Sequence, residues 1–154
     1  HPGPAAVRYP RGQGPGELPG SDLETVEIGR ALKRRDGASG VVILAFGSRL
    51  ASALEAANAL DASVYDMRWV KPLDSQVLDA VANATLIVTV EEHQRMGGAG
   101  SAVGEYYADQ GQPVALLSLG LPDRFEAHGK PQDMLARVGL DAAGIEAAIA
   151  QRLS

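Results

Sequence analysis

The chain has 154 residues, 45% of them hydrophobic and 21% charged, with a formal net charge of −5 and no cysteine. That is apolar material for one globular core, and it excludes disulfides, thiolate metal sites and cysteine nucleophiles. Lys33-Arg34-Arg35 is the only basic cluster, too small for a nucleic-acid surface, and no apolar run approaches the ~18 residues of a membrane span. The opening HPGPAAVRYPRG has neither the basic start nor the apolar core of a signal peptide. A soluble, cytoplasmic protein is the expectation.

In chain order, AVRYP (residues 6–10) reads as a short extended piece without a partner strand, and QGPGELPGSD (13–22) reads as a linker. Five of the nine prolines and five of the eighteen glycines fall in the first twenty residues, where ring-locked φ angles and missing N–H groups oppose regular structure. The segment TVEIGRALKRR (25–35) alternates weakly and suits a half-exposed edge strand. VVILAFG (41–47), ASVYDMRWV (62–70), TLIVTVEE (85–92) and PVALLSLG (113–120) are short apolar runs of the kind buried on both faces of a parallel sheet. Between and after them lie helical stretches over 48–60, 74–84, 100–111, 131–139 and 141–154, with Asp74 and Asp141 at N-cap positions. Strands alternating with helices predict an open α/β sheet covered on both faces.

The stretch VTVEEHQRMGGAGSAVGEYY (88–107) has the strand–glycine turn–helix context of a nucleotide site, but its spacing fails. A third fingerprint glycine would stand at 103, which is Val103, and no Gly-Lys-Ser/Thr follows. An anion at the helix N-terminus stays open; the alternative is that the glycines let the helix start close to the sheet. Glu91, Glu92 and His93 cluster at the end of a predicted strand, where open α/β sheets place ligands. A metal there would need another ligand, and His128 is the only other internal histidine; an interface role is the preferred reading. His128 lies near Asp123 and Arg124, yet no G-x-S-x-G elbow accompanies it, so its loop reads as structural. Arg8 and Arg11 flank Tyr9-Pro10, and their planar forks match phosphate oxygens; solvation alone is the alternative.

Taken together, GPAAVRYPRG, VYDMRWVKPLD, VTVEEHQRMGGAGSAVGE, LGLPDRFEAHG and GLDAAGIE closely resemble the C-terminal part of the 1-deoxy-D-xylulose-5-phosphate synthase family. The two carboxylates followed by GGAG resemble transketolase-type C-terminal domains generally, including dehydrogenase β subunits, whereas DMRWVKPLD and LGLPDRFEAHG are particular to the synthase. Trp69, where phenylalanine is usual, and His93-Gln94, where Asn-Ala is common, depart from the pattern.

The resemblance implies a three-layer α/β/α fold with a mixed five-stranded sheet: four parallel strands and, at one edge, TVEIGRALKRR antiparallel. It implies that residues 1–22 end a preceding domain and linker, and that 23–154 form the transketolase-type domain. The family condenses pyruvate with glyceraldehyde 3-phosphate, with loss of CO2, for isoprenoid, thiamine and pyridoxal synthesis. Its members are homodimers that use thiamine diphosphate and Mg²⁺, without nucleic-acid or membrane partners. The arginine of its YPRG motif, which binds the acceptor's phosphate, corresponds to Arg11. The Gly-Asp-Gly motif for the cofactor is absent from this sequence, so the resemblance implies an interface-forming piece that is inactive alone, with no catalytic, cofactor or metal residue of its own. A transketolase or 2-oxoacid dehydrogenase β-subunit domain, or a free-standing nucleotide- or metal-binding module, are the competing readings.

Overall fold

The computed structural model describes residues 3–7 and 25–154. Its strands are β1 (Leu32–Arg35), β2 (Val41–Ala45), β3 (Ser63–Asp66), β4 (Leu86–Gln94) and β5 (Leu116–Leu121). They form a single five-stranded sheet in the order β1-β3-β2-β4-β5. Only β1 runs antiparallel, pairing with β3 at the edge, and the other pairings are parallel. The expected mixed sheet with an antiparallel edge strand is thus observed.

The helices are α1 (Leu50–Leu60), α2 (Ser75–Val81), α3 (Ala99–Asp109), α4 (Pro131–Arg137) and α5 (Ala142–Leu153), with a short 3-10 turn at Gly47–Arg49 before α1. Side chains alternate along the central strands and so feed two cores. Val41, Ile43, Ala45, Leu86, Val88 and Val90 meet α1 and α5 through Ala53, Ala57, Ile145 and Ile149. On the opposite face, Val42, Leu44, Phe46 and Ile87 meet Leu78 of α2 and Val103 and Tyr107 of α3. The small face of α1 lets it lie flat on the sheet and against α5. The Tyr107 hydroxyl is buried, and it donates to Leu78 O at 2.7 Å, tying α3 to α2.

The edge strand β1 is shorter than its sequence pattern predicts. Of TVEIGRALKRR only Leu32–Arg35 is strand, because Gly29 adopts φ +72° in a turn and the Ala31 N–H donates to Asp74 Oδ2 at 2.9 Å instead of joining the ladder. A Cβ at Gly29 would stand 2.8 Å from Pro72 Cγ, so the turn is doubly specified. Ala6 and Val7 are exposed and outside any strand; the rest of the AVRYP expectation, and the linker, lie outside the described residues.

Both predicted N-caps are present. Asp74 accepts from Val77 N at 3.3 Å and Asp141 accepts from Gly144 N at 2.9 Å. Asp74 also holds Arg30 at 3.4 Å, so one buried carboxylate fixes both α2 and the entry to β1. Burial pushes its pKa up, but the Ala31 and Val77 amides and the Arg30 guanidinium outweigh burial and hold it below 3.8. A depressed folded pKa contributes stability that is present above the unfolded value and is lost as pH falls through the folded one. Asp74→Asn removes the charge that these donors favour, and is therefore expected to cost about 1–2 kcal/mol near neutral pH. Urea unfolding of both proteins should show that gap closing below about pH 4; a gap unchanged at lower pH would contradict the assignment.

Candidate functional site

In an open α/β sheet the natural crevice lies at the carboxyl ends of the two neighbouring strands between which the strand order reverses. Here those strands are β2, followed by α1, and β4, followed by α3. The crevice is built from Gly47-Ser48-Arg49 after β2 and Glu91-Glu92 at the end of β4. The β4–β5 register slips between Val90 and Gln94, so four residues on β4 span what two span on β5. Such a bulge bends the strand and re-aims its side chains.

Successive residues of a strand point to opposite faces, and the two glutamates divide accordingly. Glu91 is buried beneath α3, where Oε2 accepts from Ala99 N at 2.7 Å and Oε1 from Gly100 N at 2.8 Å. The first amides of a helix lack intrahelical partners and carry its positive dipole end. Glu91 thus occupies the anion position that the strand–glycine–helix pattern offers. The glycines make room for it: a Cβ on Gly98 would strike the Glu91 carboxylate and Gln94 O, and one on Gly100 would strike Thr89 Oγ1. Thr89 faces α3 from the same side of β4, and its buried hydroxyl has no hydrogen-bond partner among the described residues. The turn is an internal carboxylate cap.

Glu92 points the other way. Its Oε2 accepts from Ser48 Oγ at 2.6 Å and pairs with Arg49 Nη2 at 3.1 Å, while Arg49 Nη1 donates to Leu140 O at 3.3 Å. This cluster joins the β2 loop, β4 and the start of α5. The sequence reading did not include Ser48 and Arg49; their signal was position alone, directly after a buried strand.

The remaining predicted residues do not converge on this crevice. His93 is exposed, with Nδ1 3.3 Å from Gln94 O. His128 is exposed in the loop before α4. No group of three His, Cys, Asp or Glu able to hold a metal occurs among the described residues. Arg8 and Arg11 lie outside the described residues. No helix among the described residues is long and apolar enough to cross a membrane.

The sheet is mixed and five-stranded with one antiparallel edge, and a carboxylate-capped helix follows its longest strand, which is the arrangement of an open α/β domain. Residues 29–145 match the model of "Transketolase, C-terminal domain", and the chain belongs to that family. More particularly, it is 56% identical over 98% of its length to a 1-deoxy-D-xylulose-5-phosphate synthase of Pseudomonas aeruginosa, covering 24% of that protein. The synthase of Stutzerimonas stutzeri is 55% identical over 99% of the chain, again covering 24% of the relative. The chain thus spans about a quarter of the length of these relatives.

Among solved structures, a "split gene transketolase, inactive beta4 tetramer" superposes with a TM-score of 0.75 at 37% identity, over 83% of this chain and 43% of that one. A transketolase variant from Pichia stipitis shares the fold, with a TM-score of 0.55 at 20% identity over 80% of this chain and 18% of its own.

Proposed function

We propose that this chain is the C-terminal part of a 1-deoxy-D-xylulose-5-phosphate synthase, with residues 1–22 ending a preceding domain and linker and 23–154 forming the transketolase-type domain. The observation that carries this reading is the reach of the similarity. It runs at 55–56% identity over 98–100% of the chain, past both ends of the 29–145 family match. The likeness to the split-gene transketolase is weaker, at 37% identity over 83%.

In the proposed parent reaction, pyruvate loses its carboxyl group as CO2. The remaining two-carbon unit bonds to the aldehyde carbon of glyceraldehyde 3-phosphate, giving 1-deoxy-D-xylulose 5-phosphate. Thiamine diphosphate with Mg²⁺ supplies the carbanion chemistry. The described residues do not fit that group. The N-terminus of α3 is filled by Glu91, and no three metal-ligating side chains converge among the described residues. On this reading the chain contributes one acceptor-binding residue, Arg11, and a rigid domain that helps a cytoplasmic homodimer assemble.

The test is carboligation by the full-length protein, loaded with thiamine diphosphate and Mg²⁺, with the product identified by mass. Pyruvate with glyceraldehyde 3-phosphate should give deoxyxylulose phosphate and CO2, and the 154-residue chain alone should give neither. A full-length protein that took ketose phosphates as donors and left pyruvate unused would be a transketolase. Product formed by the isolated chain would overturn the division of labour.

A further inference from the structure

Beyond the crevice, the end of β5 carries a cleft of about 320 Å³ whose lining includes three arginines, Arg95, Arg124 and Arg137. They come from three different elements. Arg95 follows β4, and its backbone N–H donates to Leu121 O at 3.0 Å. Arg124 stands in the loop after β5, with its N–H on Pro122 O at 2.8 Å. Arg137 ends α4, and its Nη1 donates to Ala127 O at 3.3 Å. The floor is Gly120, where a Cβ would come within 2.9 Å of His93 O and 3.2 Å of Arg95 Cα, so glycine lets the two strands approach.

Two ordinary uses for these cations are closed or partly closed. The last carbonyls of α4 are already bonded, with Val138 N on Met134 O, Gly139 N on Ala136 O and Leu140 N on Leu135 O at 3.2, 3.1 and 2.9 Å. Of the three, only Arg124 is in an ion pair among the described residues, with Glu126 at 2.6 Å. Asp123 is the one carboxylate lining the cleft. The result is a concave positive surplus on a chain whose formal net charge is −5.

We propose that this cleft binds a small phosphate-bearing anion, a phosphate monoester or a diphosphate. Planar guanidinium forks from separate elements match several phosphate oxygens at once, which one arginine cannot do. The volume lies at the small end of ligand sites, roughly 300–1,000 Å³, and fits a compact anion.

Inorganic pyrophosphate is the probe, titrated into the isotope-labelled 154-residue chain at low ionic strength. Saturable one-to-one binding is expected, with the largest amide shifts at Arg95, Gly120 and Gly139. Arg95→Ala and Arg137→Ala should each weaken it about tenfold or more, as for a lost charge-assisted bond. The corresponding lysine variants should recover part of the loss. The three arginines are exposed, so the variants should keep the wild-type fold by circular dichroism. Arg152→Ala, on α5, is the control for general charge. Shifts that do not saturate, or a loss as large in Arg152→Ala as in Arg95→Ala, would overturn the proposal.

Discussion

Replacing Glu91 by alanine should destabilise the domain by about 2–5 kcal/mol, because two buried amides lose their acceptor together and each costs roughly 1–3 kcal/mol when left unmade. The carboxylate is 4% exposed, and it bonds Ala99 N and Gly100 N at 2.7 and 2.8 Å. Loss of a negative charge at the helix N-terminus adds to this in the same direction. At roughly 2–4 °C per kcal/mol for a domain of this size, the melting temperature should fall by about 4–20 °C. Glu91→Gln keeps the shape but offers one acceptor oxygen, so one of the two N–H groups would face an NH2 donor. It should recover less than half of the loss.

Glu92 is the internal comparison. Its side chain is 41% exposed, and the bonds to Ser48 and Arg49 compete with water, so Glu92→Ala should cost under ~1 kcal/mol. Urea unfolding of the variants decides the point. Equal effects at 91 and 92, or a Glu91→Ala domain within about 0.5 kcal/mol of wild type, would mean that the cap is dispensable.

The contrast between these neighbours shows how far the sequence reading could reach. The apolar runs and the Asp74 and Asp141 caps are local signals, and each led to the observed element. The edge position of β1 was legible from its half-polar pattern together with the family resemblance, but its length was not. Gly29 turns the chain because Pro72, far along the sequence, stands against it, and Asp74 draws off the Ala31 amide. Glu91 and Glu92 read as one acidic cluster in sequence, and strand alternation at a bulge separated them. The glycine turn had the right context for a phosphate, and the anion it receives is the chain's own. The arginine-lined cleft was not legible at all, since Arg95, Arg124 and Arg137 come to one lining only once β5 is in register and α4 has folded back.

In the full-length enzyme, Arg11→Ala should leave folding intact and impair use of the phosphorylated acceptor. This expectation rests on the proposed function and on the YPRG sequence, Tyr9 to Gly12. A phosphate held in a partly dry site needs a charge-assisted fork, and the ring of the preceding Pro10 fixes its own φ and so limits the backbone that presents the arginine. Removing one partner of such a pair typically costs about 2–5 kcal/mol, much of it from the phosphate left uncompensated. In kinetic terms that is on the order of tens to thousands of fold in kcat/KM for glyceraldehyde 3-phosphate. An unphosphorylated aldehyde makes no use of the fork, so its kcat/KM should change little, and pyruvate decarboxylation should be spared. Arg11→Lys should restore only part of the activity, since an ammonium keeps the charge without the bidentate geometry. Steady-state kinetics with both aldehydes separate the cases. Equal losses with both, or no loss with either, would reduce Arg11 to an ordinary solvated residue.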